Sequence, residues 1–211
     1  MEDIEKYVRI QEGLRKRVLI KDQLPQRIRT IAGVDQSFRG KKVISCIVVL
    51  EYPDMRPIEK KFAVLEVDFP YIPGLLTFRE GPSILKAYEK LKNKPDILLI
   101  DGQGIAHPRG IGIASHIGVV LDKPTIGVAK SRLIGEYETP GMVGEYKELE
   151  YNGRVVGFVL KSKENCRPLF ISPGHRISPK TSLNVVKNCL RDHKLPEPTR
   201  LADMYVKMHP G

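Results

Sequence analysis

Cysteine is scarce in this sequence. Cys46, Cys166 and Cys189 are the only three among 211 residues, and no C-x-x-C pair occurs. That excludes a disulfide framework and a cysteine zinc site, and predicts reduced thiols in a cytoplasmic protein. Long apolar runs are missing too: none reaches the roughly 20 residues of a membrane span. The first twenty residues, MEDIEKYVRIQEGLRKRVLI, carry charge throughout and hold no apolar signal core. Neither repeats nor low-complexity tracts are present. Acidic residues fall short of basic ones, 25 against 35, for a formal charge of +10. This excess favours a polyanionic partner, nucleic acid before an acidic membrane surface. With 41% hydrophobic residues and no long linker, residues 1–211 read as a single domain able to bury a core.

Ile4, Val8, Gln11, Leu14 and Val18 recur at helical spacing, predicting an amphipathic helix over residues 3–20. TIAGVDQSF, KVISCIVVLEY and IEKKFAVLEV are β-branched runs with short breaks between them, the pattern of an antiparallel meander. FREGPSILKAYEKLK then reads as a helix, DILLID as a buried parallel strand, IGIASHIGVVLD as an apolar helix and PTIGVAKS as another buried strand. Beyond these, VVGFVLKS and PLFISPG read as strands. SPKTSLNVVKNCLRDH reads as a helix capped by Ser178 with Pro179 at its first position, and RLADMYVKM as a closing helix. The fold class is therefore α/β: a mixed sheet of three antiparallel strands followed by parallel strands, with helices on both faces. Ribonuclease H-like folds have this order, and other mixed α/β folds share it.

Three carboxylates stand out. Asp35 interrupts an apolar strand, and Asp101 ends DILLID, at the strand edge where α/β sheets gather ligands. Such carboxylates need a compensating cation or donor. If the two strands are neighbours, Asp35 and Asp101 converge, Glu80 can join them, and the set suits Mg²⁺ or Mn²⁺. Each has a plainer explanation as well; Thr77-x-x-Glu80 spells a helix capping box. DGQGIAHPRG (101–110) places Gly102 and Gly104 after a strand, yet His107 stands where a dinucleotide fingerprint needs glycine. His107 and Arg109 could serve a phosphate, Lys130 reaches toward Asp101's edge, and His116 reads as a core histidine. In FPYIPGLLTFREGP, Pro70 and Pro73 stiffen a loop around Tyr71, which either presents its ring outward or packs it inward as a turn residue.

AGVD (32–35), PYIPGLLTFREGP (70–82), PDILLIDGQGIAHPRGIGIASHIGV (95–119), PTIGVAKSRL (124–133), PLFISPGHRIS (168–178) and LPEPTRLAD (195–203) together resemble the endonuclease V family in order and nearly end to end. The resemblance implies a ribonuclease H-like nuclease that cuts DNA containing hypoxanthine at the second phosphodiester 3′ to the lesion, leaving 3′-hydroxyl and 5′-phosphate ends. It implies metal ligation by Asp35, Glu80, Asp101 and Asp203, with Mg²⁺ as cofactor and Mn²⁺ as substitute. His107 and Lys130 match residues near the scissile phosphate. Tyr71 matches a wedge that replaces the extruded base, and Gly74, Leu76 and Gly102 match the pocket around that base. Phosphate contacts are expected at Arg109, Lys130 and the segment around His175. Inosine-containing RNA is an alternative substrate, another ribonuclease H-like nuclease an alternative enzyme, and a non-catalytic basic binding module an alternative class. One site on one strand needs only a monomer.

Overall fold

The computed structural model describes residues 2–210, with side chains from residue 4 onward. Eight strands form one sheet in the order β3-β2-β1-β4-β5-β8-β7-β6. The meander is as read: β1 (Thr30–Arg39), β2 (Lys42–Glu51) and β3 (Pro57–Glu66) pair antiparallel. After it come β4 (Ile97–Asp101) and β5 (Thr125–Ala129), both parallel to β1. The remaining strands, β6 (Tyr146–Tyr151), β7 (Arg154–Leu160) and β8 (Leu169–His175), are antiparallel, so only the middle of the sheet is parallel.

Because side chains alternate across a strand, each central strand feeds two cores. Ile31, Leu99 and Val128 face one side, under α4 (Pro179–Asn188) and α5 (Glu197–Met208). Ala32, Val34, Leu98 and Ile100 face the other, under α2 (Leu76–Glu89) and α3 (Ile113–Leu121). Gly33 lies on the α5 side, and a Cβ there would overlap the Pro198 carbonyl. This glycine lets the start of α5 rest directly on β1. Arg39, at the far end of β1, donates to the Lys207 and Pro210 carbonyls and so closes the other end of α5.

The helix read as far as His193 stops at Asn188, and two further elements depart from the sequence reading. The first helix, α1 (Glu2–Arg15), stops short of residue 20. Leu19 is drawn out of helical geometry because its N–H donates to His175 Nδ1 and its carbonyl accepts from the Arg176 N–H. Strand β6 was not anticipated at all, although Asn152 and Gly153, at φ 51° and 69°, make the two-residue turn that asparagine-glycine favours in hairpins.

Candidate active site

The parallel register of β1 and β4 runs from Ile31–Ile97 to Val34–Ile100. Asp35 and Asp101 are the next residues of these neighbouring strands, on the face that carries α5. Val128 of β5 pairs with Asp101, and Lys130 follows two residues later on the same face. Asp203, one turn before the end of α5, faces them from above the sheet. Lys130 Nζ sits among the three, 2.5 Å from Asp101 Oδ2, 3.3 Å from Asp203 Oδ1 and 3.7 Å from Asp35 Oδ2. Among the described residues no group of three acidic, histidine or cysteine side chains is arranged to hold a metal ion as it stands. A lysine ammonium takes the central position instead.

Glu80 reaches the same strand edge from α2, on the opposite face of the sheet. It is not a capping residue. The N-cap of α2 is Leu75, which makes no side-chain cap, and Glu80 lies in the second turn, 9% exposed. Its turn is locked onto β2: the Ser83 hydroxyl donates to the Glu80 carbonyl at 2.8 Å and meets the Ser45 hydroxyl at 2.5 Å. With Ser83's proton engaged, Ser45 is the donor of that second bond.

The cluster carries more negative charge than its surroundings compensate. Burial, then the neighbouring Asp101, pushes the Asp35 carboxyl up to about 8, against the opposing pull of Lys130 and the Gln36 N–H. Burial and Asp101 likewise push Glu80 up to about 7. Burial also works against the charge of Asp203, but Lys207 and Lys130 outweigh it and hold this carboxyl below its ordinary range. Burial works against Lys130's charge, and its three acidic neighbours overcome it, raising the ammonium above its usual value. Two carboxyls that resist ionisation beside a permanently charged lysine form a site short of positive charge. Oxygen donors alone around such a deficit suit a hard divalent cation.

Beside this cluster the PYIPG loop projects Tyr71 into solvent, 69% exposed. The inward-packed alternative for this ring is therefore not what the chain adopts. Ile72, Pro73, Gly74 and Leu75 form a type II turn, closed by the Leu75 N–H on the Ile72 carbonyl at 2.9 Å, with proline second and glycine third at φ 80°. Behind Tyr71 lies a cavity of about 110 Å³ whose wall includes Gly74, Leu76, Thr77, Gln103, Gly112 and Ile113. Pockets that take whole drug-sized ligands are roughly 300–1,000 Å³, so this one admits only a fragment of a larger substrate. Gly102 supports its wall without opening into it. The Gly102 N–H donates to the Val128 carbonyl, and a Cβ at 102 would collide with the Ile113 side chain, which lines the cavity. A second, open depression of about 980 Å³ shares Leu133 with this cavity, but its glutamates, Glu136, Glu138, Glu148 and Glu150, outnumber its basic residues, Arg132 and Lys147, which disfavours a phosphate backbone.

Three residues expected at phosphates have other partners. His107 is 5% exposed; its Nδ1 accepts from the Arg109 N–H, so Nε2 carries the proton and donates to the Gly74 carbonyl. Burial, assisted by Arg109, pushes its pKa down to about 4 and keeps the ring neutral. Arg109 points its guanidinium at the same carbonyl. His175 is 3% exposed, with Nδ1 on Leu19 and Nε2 toward Asp122, so it anchors the N-terminal segment to β8. His116 is buried as expected, edge-on to Phe78 and pushed down to about 4 by burial, although its Nδ1 finds no partner among the described residues. Gln11 and Gln103, both buried polar residues, also line this cavity, and the sequence reading singled out neither for it. The available signal for Gln11 was an amide within the apolar stripe of a helix.

The endonuclease V family model matches residues 12–204. The chain belongs to the endonuclease V family. It is 47% identical over 204 residues to endonuclease V of Dictyoglomus turgidum, covering 96% of this chain and 89% of that protein. The crystal structure of endonuclease V from Bacillus subtilis superposes with a TM-score of 0.93 at 32% identity, over 99% of this chain and 92% of that one. Endonuclease V of Ciona intestinalis, solved with a 24mer DNA containing an inosine followed by a ribo-adenosine, superposes at 0.88 with 28% identity, over 99% and 98% of the chains. The ribonuclease H-like sheet is thus the family's own, and this endonuclease V chain is a phosphodiester-hydrolysing enzyme. No helix among its described residues is long and apolar enough to cross a membrane.

Proposed function

We propose that the chain is a Mg²⁺-dependent endonuclease that extrudes hypoxanthine from DNA and hydrolyses the second phosphodiester on its 3′ side, leaving 3′-hydroxyl and 5′-phosphate ends. The observation that carries this reading is the juxtaposition of a positive-charge deficit at Asp35 and Glu80, beside Asp101 and Asp203, with an exposed Tyr71 held between prolines above a base-sized cavity. Tyr71, held between prolines, can fill the gap an extruded base leaves. A poorly paired base is the one that leaves the stack at least expense. Leu76 and Thr77 open α2, and the first N–H groups of a helix have no carbonyl inside it to bond. They favour an acceptor such as O6 of hypoxanthine over the amino group adenine presents there.

The four carboxylates would hold the cation, which supplies Lewis acidity toward phosphoryl oxygens and a nucleophilic water near neutral pH. Lys130 stays protonated and, at 41% side-chain exposure, faces the solvent side from which a phosphate would approach. The deciding experiment is strand nicking of an inosine-containing duplex with and without Mg²⁺, beside undamaged duplex, an RNA–DNA hybrid, and a strand with a ribonucleotide 3′ to inosine. Mg²⁺-dependent nicking confined to inosine supports the reading. Cutting of the hybrid at a comparable rate overturns it in favour of a general ribonuclease H-like enzyme. Preference for the ribonucleotide-containing strand would assign the enzyme to inosine in RNA, a substrate feature present in the Ciona complex.

A further inference from the structure

We propose that Gln11 is a positioning residue for lesion recognition. The donors it completes on the Gly74 carbonyl fix Tyr71 and the cavity mouth relative to the cutting site, a role that rests on reading the cavity as the base site. Gln11 lies on α1 and is 1% exposed. An amide buried among apolar residues is unfavourable unless fully bonded. Here its Oε1 accepts from Arg109 Nε at 2.6 Å and its Nε2 donates to the Gly74 carbonyl at 2.9 Å. The guanidinium has only donors, so it dictates which way the amide faces. Arg109 Nη2 and His107 Nε2 donate to the same carbonyl, at 2.6 and 3.2 Å. One oxygen with two lone pairs therefore receives three donors, from α1 and from the loop between β4 and α3.

The other side of that peptide, the Leu75 N–H, closes the turn on Ile72. The peptide after Gly74 is thus held at both ends, and Tyr71 immediately precedes the turn it completes. Gly74 suits this turn because its φ of 80° is strained for any side chain, and a Cβ would also press within 2.7 Å of Arg109 Nη2. None of Gln11, His107 and Arg109 has a hydrogen bond or ion pair to Asp35, Glu80, Asp101 or Asp203 among the bonds of the described residues. Their role is therefore to aim the wedge, separate from the groups that face the phosphate.

The test is nicking of paired and single-stranded inosine substrates by Gln11→Leu and Gln11→Glu, with a Mg²⁺ titration and a melting curve for each. Losing the donor to the Gly74 carbonyl, which both variants lack, should lower kcat/KM on the paired duplex about tenfold or more. The single strand, where no base must be extruded, should be affected far less, and half-saturation by Mg²⁺ should not move. Gln11→Glu keeps an acceptor for Arg109 but has no donor for Gly74, so it should resemble Gln11→Leu. In a Tyr71→Ala background the Gln11→Leu loss should shrink, since residues acting through one element are not additive. Equal losses on both substrates, full additivity with Tyr71→Ala, or wild-type rates in both Gln11 variants would each overturn the proposal. If Gln11→Leu melts below the assay temperature, Gln11→Glu and its cycle with Tyr71→Ala decide. Failure of the wild-type protein to nick inosine DNA would instead overturn the base-site reading itself.

Discussion

Asp35→Asn should abolish cutting and yet raise the stability of the metal-free protein, increasingly so as pH rises. The folded carboxyl is pushed up from its ordinary 3.8 to about 8, while the unfolded chain ionises near the ordinary value. Well below pH 3.8 both states hold the proton and the group is neutral to stability. Between the two values the unfolded state has lost its proton and the folded state has not, so stability falls as pH rises, until the folded carboxyl ionises too. Each pKa unit corresponds to about 1.4 kcal/mol, which makes the penalty roughly 2 kcal/mol at pH 5 and roughly 5 kcal/mol at pH 8. Asparagine removes this dependence. Its other consequences, the buried amide and the lost contact with Lys130, are much the same at both pH values and cancel in the comparison. The gain in melting temperature should therefore be larger at pH 8 than at pH 5 by about 3 kcal/mol, or roughly 6–12 °C for a domain of this size. Thermal melts of both proteins in chelator at the two pH values measure it. Saturating Mg²⁺ should then favour the wild type at pH 8, because only the intact cluster gains from binding. A variant whose melting difference is the same at pH 5 and pH 8 would refute the charge-deficit account of the site.

Tyr71→Ala should lose on the order of 1–3 kcal/mol of stacking on paired inosine DNA, less on single strands, with an unchanged melting temperature because the ring is exposed. Tyr71→Phe should restore most of the rate, and equal losses on both substrates would remove the wedge from the mechanism. Gly33→Ala should destabilise the fold by roughly 1–3 kcal/mol in urea titration, since its methyl group has to push α5 off β1. It should also slow nicking, because the same helix carries Asp203; a variant with full stability would show that α5 yields at Pro198 without effect.

How much of this was legible in the sequence depended on whether a signal was local. The antiparallel meander, DILLID and the apolar α3 announced themselves because burial on one or two faces writes a short periodicity into neighbouring residues. Asp35 and Asp101 were visible as charges in such runs, and the parallel register explains why two residues far apart in sequence meet. Thr77 and Glu80, by contrast, matched a capping pattern at the right spacing while the helix in fact begins at Leu76 with no side-chain cap. A three-residue spacing cannot tell the first turn from the second. The end of α1 was misplaced because its cause, the His175 ring and the Arg176 backbone, lies over 150 residues away. The β6–β7 hairpin was missed despite a local signal, Asn152-Gly153, because YKELEY offers few apolar residues to mark a strand.

The roles of His107 and Arg109 show a different limit. Their residue types suit phosphate contact, and only the fold reveals that both donate to the Gly74 carbonyl, with Arg109 bonding Gln11 as well. The loop between β4 and α3 that carries them follows Asp101, in the acidic cluster, and leads through Gly112 into Ile113, on the cavity wall. Its shape is fixed by bonds to β8 and to itself: Gly104 N–H to Ser172 Oγ, Ile105 N–H to the Pro173 carbonyl, and Gly112 N–H to the Gly104 carbonyl. A displacement of any part of this loop therefore reaches the acidic cluster, the donors on the Gly74 carbonyl and the cavity wall. The side chains proposed to aim the wedge and those proposed to hold the metal are distinct, but a single backbone segment adjoins both. On the proposed reading, a base held in the cavity would fix which phosphodiester lies over Asp101 and Lys130, because one loop joins the two places.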